Sequence, residues 1–421
     1  LPLGAGITYR SALEYLGALG RGWSASFDVR LVYLSDQITL YDGQGRIDTF
    51  TLAPGGASGV GPYTLAGFFV EFFRNDNGTP ANELDDVFTL YGPQGSSVAF
   101  QASNQDTANR RLYRQTSVSD RFGNKIQFIY NALGQLEQMR GDLYDPLTPS
   151  RYVLDFEYGP HGRLNFLRDY ADYTAQAGVI GSSYVGPREW EFVYNLSTAD
   201  LLEIKLPQTE RYFSETKGAN FRTRVQFAYD ASGNMLEVID ARQANEAAPL
   251  GWLSIHYDAQ GRVDYQDIGR TSAGDTTHRT HIIYGGVDAL GRWKVNVINA
   301  MSYRSEYRGQ AQAGSAPLGT ADYVRHYTGE WDAALSQTGA KLRANDPDYY
   351  ESSFTYDSQF NTISVTRPSG SVTRFRFDIT NSSQRSRGNL LRILQHPGTA
   401  GTAGLPADQV NGLLATFTYT N

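Results

Sequence analysis

The stretch that most constrains this chain runs from Val225 to Asp240 and reads VQFAYDASGNMLEVID. Apolar side chains alternate with polar or small ones in its first arm and flank Glu237 in its second, so both arms are typical of half-buried β-strands. Between the arms, Asp230 can bond to the backbone two residues on, and Gly233 can adopt a positive φ without a steric penalty. The stretch therefore predicts a β-hairpin, and a single hairpin needs neighbours to be stable in water.

The same pattern recurs along the chain and predicts a repeat architecture. The pattern is a Tyr, then in most copies Asp or Asn, and a Gly four residues after the Tyr. Copies with both the Tyr and the Gly stand at Tyr130…Gly134, Tyr158…Gly162, Tyr229…Gly233 and Tyr257…Gly261. Degenerate copies stand at Tyr194-Asn195, Asp288…Gly291 and Tyr356-Asp357, and an early variant stands at Tyr41-Asp42…Gly45. In such an architecture each unit buries its apolar face against the next unit.

These segments resemble a known family. YDASGNMLEVID, YDAQGRVDYQD and YGPHGRLNFLRD resemble the YD repeats of the RHS-repeat family, which is similar in its repeat to the shells of bacterial toxin complexes and to animal teneurins. The stretch from Leu19 to Leu31, which contains Gly20-Arg21-Gly22-Trp23-Ser24, resembles the segment that precedes the repeats in RHS proteins. The resemblance runs through the whole chain. It implies an all-β fold of repeated hairpins that form a spiralling ribbon, and a hollow, shell-like or barrel-like assembly.

The composition agrees with such a fold and argues against several classes of function. The 28 Tyr favour strands and the 43 Gly favour turns. A formal net charge of −7 and a pI near 5.5 predict no basic field for nucleic acid or for anionic membranes. The absence of Cys excludes disulfides, thiol catalysis and cysteine metal sites. No apolar run is long enough to predict a membrane span.

The regularity of the hairpin repeat changes along the sequence and predicts two regions. Residues 1–110 are expected to form an RHS-like N-terminal cap region of β-strands, in which the apolar run 68–73 is a buried strand or plug because it would aggregate if exposed. Residues 111–421 are expected to form the hairpin shell, with a loop insertion near 308–350 where alternation is weak. The chain starts without Met and ends like the first arm of another hairpin, so we expect it to be part of a longer polypeptide.

Histidines do not predict a metal site. His278 and His281 stand three residues apart, a spacing that would put two ligands on one face of a helix. Their surroundings predict a strand that enters a hairpin, and residues three apart in a strand point to opposite faces. His256 lies inside a repeat arm and is interpreted as a packed or surface histidine.

Acidic residues do not predict a catalytic site. The local carboxylate pairs are Asp85-Asp86, Asp142 with Asp145, and Glu189 with Glu191, and nothing in the sequence singles out one of them for acid-base work on a glycoside. The run Asn75 to Gly78 lacks the alternating acidic positions and the distal Glu of an EF-hand, so it predicts an Asn-Gly turn. The chain has no GxSxG, P-loop or HExxH motif. We predict no catalytic residue, no cofactor and no metal ligand.

The resemblance implies a structural function. Many RHS proteins end their shell with an Asp-Pro-x-Gly motif where self-cleavage releases a variable toxin. Asp145-Pro146 and Asp346-Pro347 lack the Gly of that motif, so neither the cleavage nor a toxin activity is assigned to this chain. The hypothesis is a shell segment of a secreted or cell-surface bacterial polymorphic toxin that encloses a C-terminal toxin or effector segment of the same polypeptide before delivery to another cell. Secretion-system components are further expected partners. The alternatives are an adhesion module that binds glycans or proteins and, third, a glycan-acting enzyme.

Overall fold

The computed structural model describes residues 4–12, 16–34, 36–79, 82–102, 111–141, 153–170, 188–207, 224–241, 243–244, 246, 249–272, 274–289, 291–310, 320–331, 341, 343–397 and 413–419. These residues form β-strands and two 3-10 turns, Pro93–Gly95 and Gln384–Ser386, and no α-helix occurs among them. The strands are β1 (Ile7–Tyr9), β2 (Leu16–Gly17), β3 (Gly20–Arg21), β4 (Trp23–Ala25), β5 (Arg30–Leu34), β6 (Gln37–Tyr41), β7 (Ile47–Ala57), β8 (Gly61–Thr64), β9 (Glu71–Asn75), β10 (Val87–Tyr91), β11 (Ser97–Ala102), β12 (Arg111–Ser119), β13 (Lys125–Tyr130), β14 (Leu136–Arg140), β15 (Val153–Tyr158), β16 (Leu164–Asp169), β17 (Arg188–Tyr194), β18 (Leu201–Lys205), β19 (Arg224–Tyr229), β20 (Met235–Ile239), β21 (Leu253–Tyr257), β22 (Val263–Ile268), β23 (Arg279–Val287), β24 (Arg292–Ile298), β25 (Tyr303–Gln310), β26 (Ala321–Glu330), β27 (Tyr349–Tyr356), β28 (Thr362–Thr366), β29 (Val372–Phe377), β30 (Leu390–His396) and β31 (Leu413–Thr416).

The chain divides into two compact units. Unit 1 comprises Leu1–Tyr63, Glu71–Ile255 and Gly269–Gly274. Unit 2 comprises Thr64–Val70, His256–Ile268 and Asp275–Asn421.

In unit 1, strands β5 to β12 close into a barrel among the described residues. Strand β12 closes the ring by pairing with β5, from Arg111 opposite Tyr33 to Arg114 opposite Arg30. Each strand contributes one large side chain that has no exposed surface. These side chains are Leu31, Ile38, Phe50, Tyr63, Phe72, Phe88, Phe100 and Tyr113. Burial of a side chain of this size stabilises a fold by about 1.5–3 kcal/mol, so this single layer stabilises the barrel.

Strand β12 also begins a ribbon that continues through unit 1. Its last residues pair with β13, and each following strand up to β21 pairs antiparallel with the one before it. The hairpins β13–β14, β15–β16, β17–β18 and β19–β20 each carry one copy of the repeat. In each of them the register shifts at the repeat tyrosine, which marks a β-bulge beside the turn. The hairpin predicted for Val225 to Asp240 is β19–β20.

The N-terminal strands pack on this ribbon. Strand β1 pairs with β4, and β2 pairs with β3. Leu19, Trp23, Ala25 and Phe27 are buried in one apolar cluster with side chains from all four hairpins. The ribbon residues of that cluster include Phe128, Met139, Leu154, Phe156, Leu164, Leu167, Phe192, Leu201, Ile204, Phe227 and Met235.

Unit 2 has the same antiparallel pattern within itself. Strand β22 pairs with β23, and the pairing continues strand by strand to β31. The short segment Thr64–Val70 belongs to this unit, where Gln384 Nε2 donates hydrogen bonds to the carbonyls of Leu65 (3.4 Å) and Phe68 (3.1 Å).

The prediction of an all-β fold built from repeated hairpins is confirmed. The stretch 308–350, predicted as a loop insertion, contains β26 and the start of β27, so there the sequence prediction missed regular structure. The alternation that would have indicated β26 is weak because charged and aromatic residues share one of its faces. The apolar run at 68–73 is only partly a strand: β9 begins at Glu71, and Phe72 is fully buried in the barrel. The division at residue 110 stays a prediction.

Candidate functional site

Most turns of the repeat are built by one carboxylate or amide and one residue with positive φ; the turn at Tyr158 has Gly159 in the first of these positions. In the copy at Asp258, the side chain oxygen Oδ1 accepts hydrogen bonds from the N–H groups of Gln260 and Arg262, both at 2.9 Å. The backbone of Asp258 bonds to Arg262 (2.8 Å), and Gly261 has φ +75°. A side chain that satisfies backbone donors in this way forms an Asx-turn, and Gly is the residue that adopts this backbone without strain.

Degenerate copies keep the turn without the glycine. Ala199, Ser302 and Phe360 occupy the glycine position with φ of 68°, 63° and 59°. The turn of Ser302 was missed in the sequence because it has no preceding Tyr. Its signal is Asn299, whose Oδ1 accepts from the N–H groups of Met301 and Tyr303, both at 3.0 Å. The Asx residue is therefore a better marker of these turns than the Tyr-Gly pair.

In five places a tyrosine at the end of a hairpin arm links that arm to the part of the sheet before it. Its hydroxyl donates to a backbone carbonyl of the preceding hairpin or strand. The pairs are Tyr130 to Gln115 (2.8 Å), Tyr194 to Leu164 (2.8 Å), Tyr229 to Leu201 (2.7 Å), Tyr356 to Ala321 (2.9 Å) and Tyr419 to Leu390 (3.0 Å). Burial raises the pKa of Tyr130, Tyr194 and Tyr229 above the usual value of a phenol, so these hydroxyls stay protonated donors at neutral pH.

The ribbon of unit 1 has two unlike faces. On one face, apolar residues stand opposite each other across strands. These pairs are Phe128 with Met139, Phe156 with Leu167, Phe192 with Ile204 and Phe227 with Val238. On the other face, charged residues alternate in sign: Arg168 pairs with Glu157 (2.7 Å) and Glu189 (2.8 Å), and Lys205 pairs with Glu191 (2.6 Å). Each such pair contributes about 0–1 kcal/mol, so the ladder sets strand register and solubility more than stability.

The N-terminal segment crosses the turns of successive hairpins. The carbonyl of Ala18 accepts from the N–H of Leu164 (2.8 Å) at the second turn of the ribbon. At the third turn, Arg21 bonds Asp200 Oδ1 through Nε (3.2 Å) and Nη2 (3.0 Å). Asp200 is 5% exposed. Removal of Arg21 would leave the Asp200 carboxylate buried without its charge partner, which is destabilising. The segment thus joins hairpins that are not neighbours of it in sequence.

At the fourth turn, the same segment inserts two aromatic side chains. The hydroxyl of Tyr9 accepts from the N–H of Met235 (2.9 Å) and donates to the carbonyl of Gly233 (3.0 Å). Trp23 Nε1 donates to the hydroxyl of Tyr229 (2.9 Å), and its ring lies 5.0 Å from that of Phe227. At the third turn, Gly20 lets the segment approach closely, because a Cβ there would lie 2.2 Å from the carbonyl oxygen of Ala199. We call residues 4–28 the N-terminal belt.

Two grooves lie beside the N-terminal belt. One, of about 500 Å³, lies over the first two turns of the ribbon and is lined by residues that include Asp28, Arg114, Gln135 and Arg163. The other, of about 380 Å³, is apolar, and its lining includes Ile7, Leu154, Trp190 and Leu206. Both volumes are in the range that small organic ligands occupy in proteins.

His278, His281 and His256 lie in different surroundings. His278 lies in the turn before β23, and its ring contacts Thr277. His281 lies on β23 opposite Tyr265, as the strand interpretation predicts. His256 stacks on Tyr265 with a centroid distance of 4.5 Å and bonds to Asp264 (2.6 Å). Among the residues that the structure describes, no group of three His, Asp or Glu side chains has the arrangement of a metal site.

The carboxylate pairs have structural partners. Asp86 is fully buried and pairs with Arg74 Nε at 2.6 Å, whereas Asp85 accepts from the hydroxyl of Thr79 (2.7 Å). Glu189 and Glu191 belong to the ion-pair ladder on β17. Asp142 and Asp145 lie outside the described residues. The Asn75 to Gly78 run follows β9 as a turn in which Asn77 and Gly78 have φ of 51° and 78°.

Unit 2 contains a buried polar cluster that the sequence did not predict. Glu306 on β25 is 2% exposed and contacts Lys294 (2.8 Å) and the hydroxyl of Tyr323 (2.6 Å). Burial alone would raise the pKa of Glu306, but the hydrogen bonds from Lys294 and Tyr323 outweigh it and lower that pKa. Arg325 lies between the rings of Tyr323 and Tyr349, at 4.3 and 4.5 Å. The signal was the alternation of Arg and Glu with Tyr across residues 303–327, which a search for apolar alternation overlooks.

The fold and these contacts define an all-β scaffold of clamped hairpins crossed by an N-terminal belt. A family model described as a domain of unknown function (DUF6531) matches residues 1–50. No curated protein matches the chain. The helices needed to cross a membrane are absent from the described part of the chain.

Several solved structures are similar to the chain at low identity. The crystal structure of TcdB2-TccC3 is 12% identical, with a TM-score of 0.32 over 94% of this chain and 20% of that one. The structure of the Photorhabdus luminescens Tc holotoxin pore is 11% identical, with a TM-score of 0.32 over 91% of this chain and 20% of that one. The chain spans about a fifth of the length of these structures. The likeness of its repeats to the RHS-repeat family remains a resemblance.

Proposed function

We propose that this chain is a wall segment of a shell, which encloses a C-terminal toxin or effector segment of the same longer polypeptide before delivery to another cell. The role is structural, and the chain itself carries out no reaction. The protein acts outside the cell that makes it, with secretion-system components as further partners. Residues 1–110 form the cap region, and the hairpins that follow form the wall.

The two-faced ribbon of unit 1 carries this proposal. A wall between two compartments needs a continuous strand pairing and two unlike surfaces, and the ribbon has both. One surface packs apolar side chains, and the other neutralises its own charges in pairs. The tyrosine clamps add a second link between successive hairpins, because each clamp joins a side chain to the backbone of the preceding hairpin. The resemblance of the repeats to YD repeats supports the same role.

The test is protection of the enclosed segment. The longest native polypeptide that contains this chain is given a protease site in the segment that follows residue 421, and is imaged by electron cryo-microscopy. We expect a closed shell with density inside it and a protease site that is cut only after denaturation.

Two variants provide the control. Arg21→Ala removes the partner of the buried Asp200 and should loosen the N-terminal belt, which makes the protease site accessible. Arg292→Ala removes an Arg that pairs with Asp288 of its own turn, and should leave the protection unchanged. An empty interior, or a protease site that is cut in the native protein before denaturation, contradicts enclosure. Equal protection in the native protein and in Arg21→Ala would show that the Arg21–Asp200 pair does not hold the shell closed. Binding of glycans or surface proteins to an empty shell would then favour the adhesion module.

A further inference from the structure

One position of the repeat differs in its electrostatics from copy to copy. The residue after the turn glycine is Arg in four copies, and in the early variant Arg46 pairs with Asp48 (2.8 Å). Arg262 bonds back to the turn carboxylate Asp258 through Nε (2.8 Å), and Arg292 does the same with Asp288 (2.7 Å). In these copies the turn neutralises its own guanidinium.

The copy at Tyr158 lacks that carboxylate. Gly159 stands where the other three have Asp, so Arg163 has no acidic partner in its own turn. The Arg163 guanidinium lies 5.7 Å from the ring of Tyr194, and its Nη1 is buried with no hydrogen-bond partner among the described residues. A buried donor without a partner is costly, and guanidinium groups bind carboxylate and phosphate in preference to other partners. Arg163 is thus placed to receive an anion.

Arg163 lines the groove of about 500 Å³ over the first two turns. Arg114 and His161 line the same groove, as do Leu133, which is exposed, and Tyr158, which is half-buried. The one carboxylate of the lining, Asp28, is bonded to Arg30 (3.2 Å), which leaves the lining with a net positive charge. Such a groove offers guanidinium N–H donors to a negatively charged group of a ligand, and it offers apolar surface to the rest of that ligand.

The next copy of the repeat uses the same position for a charge of opposite sign. Asp200 stands in the place of Arg163, and it receives the guanidinium of Arg21 from the N-terminal belt. The residue that closes the turn, which here follows Ala199 and not a glycine, therefore binds a charged group from outside its own turn.

We propose that the groove over the first two turns binds the oxyanion group, carboxylate or phosphate, of a small organic molecule. Arg163 is the central contact, and the apolar body of the ligand lies against Leu133 and Tyr158. The proposal is independent of enclosure, because the groove is formed by one face of unit 1 alone.

The experiment measures binding by isothermal titration calorimetry to the longest polypeptide that contains this chain. The probes are phenyl phosphate, benzoate and, as a neutral match, benzyl alcohol. We expect saturable binding of at least one anion and none of the alcohol, and the tighter anion tells phosphate from carboxylate. Arg163→Gln should weaken this binding by about tenfold or more, because a charge-assisted, two-pronged contact is lost. Arg262→Gln, at the same repeat position, should leave it unchanged.

A second variant guards against misfolding. If circular dichroism shows that Arg163→Gln is not folded, Arg163→Lys retains the charge but loses the planar fork, and should weaken binding severalfold. The proposal is overturned if no anion binds saturably, if benzyl alcohol binds as tightly as the tighter of the two anions, or if the folded Arg163 variant binds that anion as tightly as the unchanged protein does.

Discussion

The hydroxyl of Tyr229 is the most connected of the tyrosine clamps, and its removal gives a quantitative test of the fold. It donates to the carbonyl of Leu201 (2.7 Å) and accepts from Trp23 Nε1 (2.9 Å). Leu201 has no exposed surface, and Trp23 is 5% exposed. The hydroxyl therefore joins the third hairpin, the fourth hairpin and the N-terminal belt at one atom.

Tyr229→Phe retains the ring and removes only this atom. Two buried groups, an indole N–H and a carbonyl, then lose their partner. A lost hydrogen bond costs about 0.5–1.5 kcal/mol, and a buried group left without a partner costs about 1–3 kcal/mol. We expect the free energy of unfolding of unit 1 to fall by about 2–4 kcal/mol.

Tyr130→Phe is the matched control in the same unit. It removes a single hydrogen bond, to the carbonyl of Gln115 (2.8 Å), and should cost about 1 kcal/mol. Both variants are compared by urea unfolding, followed by tryptophan fluorescence and far-UV circular dichroism. The reasoning fails if Tyr229→Phe, folded and with an unchanged denaturant slope, loses no more stability than Tyr130→Phe.

Three further predictions concern turns and charge. Gly20→Ala should destabilise unit 1 far more than Gly123→Ala, because a Cβ at Gly20 would lie 2.2 Å from a carbonyl oxygen, whereas a Cβ at Gly123, which has φ +87° in the same unit, meets nothing within 4 Å. Urea unfolding should show a cost of only about 1 kcal/mol for Gly123→Ala. Ser302→Gly should raise the Tm, because it relieves a left-handed backbone (φ 63°) at an exposed position, and an unchanged or lower Tm in differential scanning calorimetry would contradict this. Hydrogen bonds, first from Ser58 and then from Gly59, lower the pKa of Asp36 from 3.8 to about 2, so its ionised form stabilises the barrel above pH 3.8 and this contribution is lost as the pH falls through 2. Asp36→Asn should therefore lower the Tm at pH 7, and the deficit should shrink at pH 2; a deficit that does not change with pH would refute the assignment.

Much of the fold could be predicted because its signals are local. Most turns are specified within five residues by an Asx side chain and a residue with positive φ, the turn at Tyr158 has Gly159 in place of the Asx residue, and each arm is specified by alternation over five or six residues. The hairpins at Tyr130, Tyr158, Tyr229 and Tyr257 follow directly from such signals. Strand β26 could not be predicted in this way, because its charged residues give it the polar sequence that is typical of a loop.

The candidate site could be predicted only in part. The sequence marked Gly20 to Ser24 as unusual through a resemblance, but no local property tells where that segment packs. Its partners lie 179 residues away for Arg21 with Asp200 and 224 residues away for Tyr9 with Gly233. Contacts of this range depend on the order in which the strands pair, which is a property of the whole sheet.

By itself, then, the sequence determined the repeated hairpin, its Asx turn and the absence of thiol chemistry, because each depends on residues a few positions apart. The tertiary structure alone decided which charged turn residues are paired by a residue from outside their own turn. Arg262 is neutralised within its own turn, whereas Asp200 is neutralised by the N-terminal belt, and Arg163 lines a groove with its Nη1 unpartnered among the described residues. The physical reason is that an ion pair within a turn needs only the reach of one side chain, while an ion pair across turns requires the belt and the ribbon to be folded against each other.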